Sequence, residues 1–355
     1  MPLDVIRILA PTAVAFFVGI AGTPLLTHYL YKYKMWKKTS VARTLDGQVA
    51  SISARLHNDE ERKTPRMGGV VIWGSVLITT LLFLIAEFLF PHLAIGKLSF
   101  LTRSQTWLPL FTLIAGAICG LIDDFLVCQE SGSYVGGGLA LRTRLLFVIL
   151  LGIVGAIWFT TKLGMHSIFI PFFGTLELGW FFGPFFILTI VGIYSGGIID
   201  GIDGLSGGVF ASMFSAYAII AYAQNQIDLA TFCAVVVGGL LAFLWYNIPP
   251  ARFFNSETGT MALTTTLVVV AFLTGAIAVL PIVAFLLIAT SASSIIQILS
   301  KRYRGKKVFL VAPLHNHFQA KGWPSYKVTM RYWVVSMVTS IVGVIIALSS
   351  TTASL

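Results

Sequence analysis

The strongest constraint on the fold is a series of ten apolar segments, each long enough to cross the hydrocarbon core of a bilayer. A spanning helix needs about 20 largely apolar residues. Hydrophobic residues make up 57% of the 355 residues and charged residues only 11%, which is too few to cover a water-facing surface. We therefore predict an all-α polytopic membrane protein with helices over residues 8–30, 67–90, 107–127, 144–162, 181–199, 205–223, 230–246, 259–279, 281–299 and 328–350.

The distribution of Lys and Arg predicts the orientation of these helices. With an even number of spans, both termini lie on one side and alternate connections share the other. Twenty of the 24 Lys and Arg residues belong to that second side, which is therefore expected to be cytoplasmic, with both termini outside. This distribution explains the net charge of +10 without a nucleic-acid partner. We expect one integral membrane domain over residues 1–355.

Two smaller features refine this prediction. The outer connection 163–180 has aromatic and β-branched residues around Gly174, which favours a short β-hairpin. The three cysteines, Cys119, Cys128 and Cys233, are odd in number and form no CxxC pair. Neither a disulfide framework nor a zinc site is indicated.

Five of the 14 carboxylates fall at predicted cytoplasmic helix ends: Asp123, Asp124, Asp200, Asp203 and Glu257. An acid near hydrocarbon costs roughly 2.5–3.5 kcal/mol, and each one alone can be explained as an interfacial residue paired with a loop cation. Five at one depth suggest a shared site. Two carboxylates 4 Å apart repel by roughly 4 kcal/mol at an effective dielectric constant of 20, so a cation must offset the repulsion or some acids must be protonated.

The positions of these acids suggest how they divide their roles. Asp123 and Asp124 are adjacent, so on a helix they point about 100° apart and are expected to have different functions. Asp200 and Asp203 are three residues apart and would share one face of a helix.

The chemistry that this pattern favours is Mg²⁺ bound together with phosphates, because Mg²⁺ prefers carboxylate and phosphate oxygens. Two glycine-rich stretches, TPRMGG (64–69) and GGIIDGIDGLSGG (196–208), would let backbone N–H groups approach an oxyanion. Helix packing is the alternative explanation of these glycines.

The last cytoplasmic loop, KRYRGKKVFLVAPLHNHFQAKGW, combines a basic run with a histidine pair. The basic run is explained by cytoplasmic anchoring or by contact with anionic lipids. An extended HNH segment would put His315 and His317 on one side. A diphosphate contact or a proton relay is the favoured role, with zinc ligation and an ordinary loop pair as alternatives.

Five motifs occur in order: TPRMGG, GLIDDF, DGIDGL, FLWYNIPPARFFNSETGTMAL and APLHNHFQAKGWP. Together with the ten-helix count, they resemble the phospho-N-acetylmuramoyl-pentapeptide transferases over residues 10–350, within the polyprenyl-phosphate N-acetylhexosamine-1-phosphate transferase superfamily. The resemblance implies transfer of phospho-MurNAc-pentapeptide from its UDP carrier to undecaprenyl phosphate, giving lipid I and UMP for peptidoglycan synthesis. It also implies Mg²⁺ dependence, a bacterial plasma membrane location with a cytoplasmic active site, and a homodimer.

The resemblance also implies roles for individual residues. The implied catalytic residues are Asp123, Asp124 and His315, and the implied metal ligands are Glu257 and Asp123. The implied substrate-binding residues are Lys63, Thr64, Asp200, Asp203, Asn247, Asn316 and His317, with Arg62 as an alternative to Lys63.

Three positions depart from the family pattern. Glu257 stands where the family motif GDxGS has Asp, Asn316 replaces the middle histidine, and Gly197 replaces an amide expected at the nucleotide site. These departures weaken the inference about which donor is used more than they weaken the assignment to the transferase class. A related GlcNAc-1-phosphate transferase, an ion-coupled secondary transporter and a non-catalytic polyprenyl-phosphate binder are the alternatives.

Overall fold

A computed structural model describes residues 2–37, 63–132 and 137–352. Within these residues the regular secondary structure is helical except for one β-hairpin. Nine helices are long and apolar enough to cross a membrane, and a bent helix pair accounts for a tenth span. The predicted all-α polytopic class is confirmed. Arg62, the alternative to Lys63 in the sequence interpretation, lies outside the described residues.

The described chain contains twelve α-helices and two strands. The helices are α1 (Pro2–Lys32), α2 (Gly69–Leu89), α3 (Trp107–Gln129), α4 (Leu141–Lys162), α5 (Phe182–Tyr194), α6 (Leu205–Ala223), α7 (Ile227–Asn247), α8 (Ser256–Leu273), α9 (Leu280–Val283), α10 (Phe285–Arg304), α11 (Leu314–Ala320) and α12 (Ser325–Thr352). The strands are β1 (Ser167–Ile170) and β2 (Gly174–Glu177), and short 3₁₀ turns cover Ala94–Leu98, Gly179–Phe181, Ser195–Ile199 and Ile277–Val279.

Helix α8 is the centre of the bundle. Its residues from Thr258 to Phe272 are all buried, and it packs against α3, α5 and α2. Helix α7 packs between α1 and α6, and α12 covers the outside of α6. Helix α8 is buried on every side, whereas α1 and α12 expose large apolar side chains as lipid-facing helices do. This arrangement brings the N-terminal end of α8 against the C-terminal end of α3.

The connection between α4 and α5 contains the expected hairpin. Strands β1 and β2 are antiparallel, with Ser167 opposite Glu177 and Ile170 opposite Gly174. Gly174 has a φ of +90°, which glycine adopts without steric cost and which suits the end of this tight turn. The predicted β-hairpin within residues 163–180 is confirmed.

Two predicted spans differ from the structure. The eighth, predicted over 259–279, ends at Leu273 because Gly275, with a φ of +63°, terminates the helix. The ninth, predicted as one helix over 281–299, is broken: Ile277–Val283 and Phe285–Arg304 meet at an angle of 70°. Apolar residues continue through both breaks, so hydrophobicity alone does not reveal them.

The prediction of an extended HNH segment is wrong. Residues 314–320 form helix α11, which begins directly after Pro313. Pro313 has an extended backbone, with φ −68° and ψ 174°, and the helix begins at the next residue. On a helix, two residues that are two positions apart point about 200° apart, and the two imidazoles therefore face different surroundings.

Candidate active site

Asp124 joins three separate segments at one end of the bundle. Its Oδ1 accepts hydrogen bonds from Nε of Arg66 at 2.9 Å and lies 2.9 Å from Nη2 of the same guanidinium. Its Oδ2 accepts hydrogen bonds from the backbone N–H of Thr258 at 2.9 Å and from the Thr258 hydroxyl at 2.7 Å. Both oxygens of this fully buried carboxylate are therefore bonded. Asp124 ties α3 to the segment before α2 and to the first turn of α8.

Asp123 lies beside Asp124 but contacts a different part of the chain. Its Oδ1 accepts a hydrogen bond from the backbone N–H of Leu139 at 2.7 Å and lies 3.9 Å from Nε of Arg144. The Nη1 group of Arg144 donates a 2.5 Å hydrogen bond to Oε1 of Glu257. One guanidinium from α4 thus faces acids from α3 and α8. Asp123 and Asp124 therefore have different partners, which agrees with the expectation that they point in different directions from the helix.

The close approach of α3 and α8 depends on a glycine. A Cβ at Gly120 would lie 2.2 Å from the carbonyl oxygen of Glu257. Any side chain there would push the start of α8 away from α3. Gly120, one turn before Asp123, is therefore required for Asp123, Asp124 and Glu257 to meet.

Asp200 connects a second group of polar residues to this cluster. One of its oxygens accepts a 2.6 Å hydrogen bond from the Ser206 hydroxyl, and the other accepts a 2.7 Å hydrogen bond from the backbone N–H of Ser256. Ser256 directly precedes Glu257 in the chain. Burial raises the pKa of the Asp200 carboxyl above its ordinary value, although both hydrogen bonds lower it. The segment before α6 is therefore fastened to the N-terminus of α8.

Asp203 and Asn247 hold the same segment from the other side. Oδ2 of Asp203 accepts a 3.0 Å hydrogen bond from the backbone N–H of Ala251. Buried Asn247 accepts a 2.9 Å hydrogen bond from the N–H of Gly204 and donates one of 2.8 Å to the carbonyl of Phe253. The expectation that Asp200 and Asp203 share a helix face is wrong, because the chain turns between the 3₁₀ turn ending at Ile199 and α6.

The two histidines of α11 lie in different environments. His315 is buried against Gly201, where a Cβ would fall 2.3 Å from its Nε2 atom. His317 is less buried and accepts a 3.2 Å hydrogen bond at Nδ1 from the backbone N–H of Leu310. Burial and the nearby Lys321 lower the pKa of His317. His315 therefore contacts the segment between Asp200 and Asp203, and the adjacent Asn316 is partly buried.

The other predicted positions are less closely tied to the acids. Lys63 is exposed and Thr64 is half-buried in the segment before α2, and the side chain of this segment that contacts the acids is Arg66. At Gly197, a Cβ would lie 3.3 Å from Cβ of Thr260. The amide expected at that position would therefore crowd α8.

Sequence reasoning missed Arg144 and Thr258 and treated Arg66 only as one cation in a motif. A positive charge in the first turn of an apolar helix was the available signal for Arg144.

We call Asp123, Asp124, Glu257, Arg66 and Arg144 the acid–arginine cluster. Its three carboxylates and two guanidinium groups carry a formal charge of −1. The two arginines are the offsetting cations that convergence of the acids requires.

The membrane-spanning helices and the acid–arginine cluster at their ends belong to a multi-pass membrane protein, and its relatives are transferases. The glycosyl transferase family 4 model matches residues 106–275, a range that contains Asp123, Asp200 and Glu257. The chain is 33% identical to the phospho-N-acetylmuramoyl-pentapeptide-transferase of Thermoanaerobacter sp. strain X514 over 334 residues, covering 94% of this chain and 96% of the relative. It is 31% identical over 346 residues to that of Bacillus mycoides (96% and 97% covered), and 29% identical over 339 residues to that of Listeria innocua (95% and 97% covered). The chain belongs to the phospho-N-acetylmuramoyl-pentapeptide transferase family.

Proposed function

We propose that the protein transfers phospho-MurNAc-pentapeptide from UDP-MurNAc-pentapeptide to undecaprenyl phosphate, forming lipid I and UMP. The single observation that carries the proposal is the convergence of α3, α4 and α8 in the acid–arginine cluster. Phosphoryl transfer needs positioning and charge neutralisation more than covalent chemistry. A cluster of acids and guanidinium groups at the ends of membrane helices can supply both to a diphosphate and a lipid phosphate.

Asp123 is the residue that we assign to the acceptor phosphate. It has a backbone donor at Leu139 and a loose contact to Arg144, so its carboxylate has remaining capacity to accept a proton or a hydrogen bond. In this role Asp123 keeps the lipid phosphate deprotonated and oriented for attack on the donor's sugar-linked phosphorus. Asp124, with both oxygens bonded, instead fixes Arg66 and the start of α8.

The donor's nucleotide is assigned to the segment between Asp200 and Asp203. This segment is held by Ser256, Ala251 and Asn247, and His315 packs directly on it. A rigid segment with two carboxylates can accept hydrogen bonds from a nucleoside. Ser256, which bonds Asp200, directly precedes Glu257. A nucleotide bound at this segment would therefore have its diphosphate at the acid–arginine cluster.

Mg²⁺ is the cofactor of the proposed reaction. Within residues 2–37, 63–132 and 137–352, no group of three or more His, Cys, Asp and Glu side chains forms a complete metal site. The residues nevertheless fit Mg²⁺, because this ion is usually held by one or two carboxylates together with substrate phosphates and water. Asp123 and Glu257, which face one guanidinium from opposite helices, would be these ligands. When bound, Mg²⁺ would neutralise charge that develops on the UMP leaving group.

The placement in the membrane is also part of the proposal. The Lys and Arg distribution supports a cytoplasmic active site and both termini outside. We also propose one membrane domain over residues 1–355. The bilayer supplies undecaprenyl phosphate laterally to the cluster.

A homodimer is proposed from the family resemblance. Light scattering tests it by measuring the protein mass of the detergent-solubilised particle.

The test is a transferase assay with the purified protein in membranes that contain undecaprenyl phosphate, Mg²⁺ and UDP-MurNAc-pentapeptide. We expect stoichiometric UMP and lipid I. Asp123→Asn should abolish turnover while the protein still inserts and folds, and Glu177→Gln, on the exposed hairpin, is the matched acid-to-amide control that should stay active. UDP-GlcNAc replaces the donor in a parallel reaction. Product from UDP-GlcNAc alone, or near-normal turnover of Asp123→Asn, would contradict the proposal.

A further inference from the structure

Arg144 occupies the space between the two acids that are proposed to hold the metal ion. Its Nη1 lies 2.5 Å from Oε1 of Glu257, and its Nε lies 3.9 Å from Oδ1 of Asp123. The side chain is largely buried, with 15% of its surface exposed, and so are Asp123 at 3% and Glu257 at 21%. A guanidinium in this position is a cation that two carboxylates from different helices share.

The two arginines of the cluster differ in how many acids they face. Arg66 makes two 2.9 Å contacts with Oδ1 of Asp124, and Thr258 completes the coordination of that acid. Arg144 lies close to Glu257 and farther from Asp123. Arg66 is therefore paired with one fully bonded carboxylate, whereas the guanidinium of Arg144 lies between two carboxylates from different helices.

Resting on the proposed function, we propose that Arg144 is an internal substitute for the divalent cation. Without a metal ion, its guanidinium neutralises Asp123 and Glu257. When Mg²⁺ binds with the donor, Arg144 leaves the carboxylates and donates hydrogen bonds to the donor's diphosphate. Arg144 is thus a diphosphate-positioning residue whose availability depends on the metal ion.

Charge and geometry both favour this exchange. With a divalent ion bound, Asp123 and Glu257 would attract the guanidinium less, and Arg144 would be repelled by the ion at close range. The planar guanidinium presents a fork of N–H donors that matches two phosphate oxygens, so a diphosphate is a good alternative partner. Leu139, bonded to Asp123, keeps the N-terminal turn of α4 in place while the Arg144 side chain changes partner.

The base of the Arg144 side chain is well placed for this movement. Arg144 lies in the first turn of α4, next to the glycine-containing connection from α3. A Cβ at Gly138 would lie 2.7 Å from Oδ1 of Asp123, so Gly138 packs directly on the acid. We expect the exchange to involve rotation of the Arg144 side chain alone, with the helices in place.

The test measures metal binding without any substrate. Mn²⁺ replaces Mg²⁺ as the probe, and its binding to the purified full-length protein is followed by loss of the free-ion electron paramagnetic resonance signal. Because Arg144→Gln removes the competing cation, it should bind Mn²⁺ at least about tenfold more tightly than the unaltered protein. Arg142→Gln removes an exposed charge two residues away and should bind Mn²⁺ like the unaltered protein, or slightly more tightly.

Two further measurements separate this proposal from a purely structural salt bridge. The unfolding temperature of Arg144→Gln should be lower than normal without metal, but Mn²⁺ should raise it more than it raises that of the unaltered protein. Binding of UDP in the presence of Mn²⁺ should weaken in Arg144→Gln and recover in part in Arg144→Lys. A structural salt bridge would instead lower stability equally with and without Mn²⁺.

Unchanged or weaker Mn²⁺ binding in Arg144→Gln would overturn the proposal. So would failure of this variant to fold even with Mn²⁺ present, because a cation that exchanges with a metal ion must be replaceable by one. These measurements do not depend on the sugar donor. If the transferase assay fails but Mn²⁺ binding tightens, the proposed function is wrong and only the competition between Arg144 and the metal ion stands. If the assay succeeds but Mn²⁺ binding does not tighten, only the exchange is wrong.

Discussion

The backbone N–H of Ser256 donates a 2.7 Å hydrogen bond to the carboxylate of Asp200. This contact joins the segment before α6, which is proposed to bind the nucleotide, to the residue that precedes Glu257. It requires an unusual backbone conformation, since Ser256 has a φ of +58°. The left-handed region is costly for any residue with a Cβ, and its occurrence here at the start of α8 shows that the contact is favourable enough to hold it.

Ser256→Gly should stabilise the protein, because glycine adopts this conformation without strain and keeps the N–H that Asp200 accepts. We expect the free energy of unfolding to rise by about 1 kcal/mol with transferase activity retained. Thermal unfolding in detergent measures the change. Ser256→Ala, which keeps a Cβ, is the control and should not be stabilised; equal gains in both variants would show that strain is not the cause.

Asp124→Asn should destabilise the protein far more than Asp123→Asn does. An amide at position 124 would turn its NH₂ group either toward the Arg66 guanidinium or toward the two donors of Thr258, and a buried ion pair would be broken. The expected loss is about 3 kcal/mol for Asp124→Asn. Asp123→Asn can keep its hydrogen bond from Leu139 and should lose activity instead. Parallel unfolding and UMP-release measurements compare the two, and similar losses of stability in both would contradict the division of roles.

Asn247→Ala should loosen the segment that contains Asp200 and Asp203. The substitution leaves the N–H of Gly204 and the carbonyl of Phe253 without their buried partner, which should cost about 3 kcal/mol in the free energy of unfolding. We also expect a higher KM for the UDP-linked donor. Gln105→Ala removes a side chain that bonds the backbone N–H of Leu229 at the other end of α7, and it should leave KM unchanged. A KM effect of equal size in both variants would show that Asn247 does not specifically support nucleotide binding.

Gly201→Ala should act through His315. The added methyl group would fall 2.3 Å from Nε2 of the buried ring, so the ring must move away. We expect a loss of about 1–3 kcal/mol in stability, as in other overpacked interiors. In a His315→Ala background the same substitution should cost little, and the double-mutant cycle gives the coupling energy. Additive effects would mean that the contact between Gly201 and His315 is unimportant.

The hydrogen bond from the N–H of Leu310 to His317 should make stability depend on pH. The pKa of His317 is lowered in the folded protein by burial and by Lys321, so the unfolded chain takes up a proton first as pH falls below about 6.5. The contribution of His317 is therefore complete above this pH and is lost as the solution becomes more acidic.

His317→Gln is the matched variant for this effect, because its amide oxygen can accept the same hydrogen bond without titrating. Lowering the pH from about 7.5 to about 5.5 should lower the unfolding temperature of the unaltered protein more than that of His317→Gln. Parallel pH profiles for the two proteins would contradict the assignment.

Much of the architecture was predictable from the sequence because the bilayer imposes a strong length and polarity requirement on every span. The starts of α3 at Trp107 and α6 at Leu205 coincide with the predicted starts, and the hairpin around Gly174 was found from local composition alone. The 70° bend at Ala284 and the end of α8 at Leu273 were not found. Both breaks lie within apolar sequence, where a turn inside the membrane leaves no change in hydropathy.

The sequence by itself determined which acids belong together, because a carboxylate near hydrocarbon is costly and only a shared function retains five of them at one depth. Only the tertiary structure decided their partners. The pairing of Asp124 with Arg66 and Thr258, the position of Arg144 between Asp123 and Glu257, and the burial of His315 against Gly201 all join residues far apart in the chain. Such contacts depend on how helices pack and on the glycines that allow close approach, and hydrophobic periodicity does not specify either.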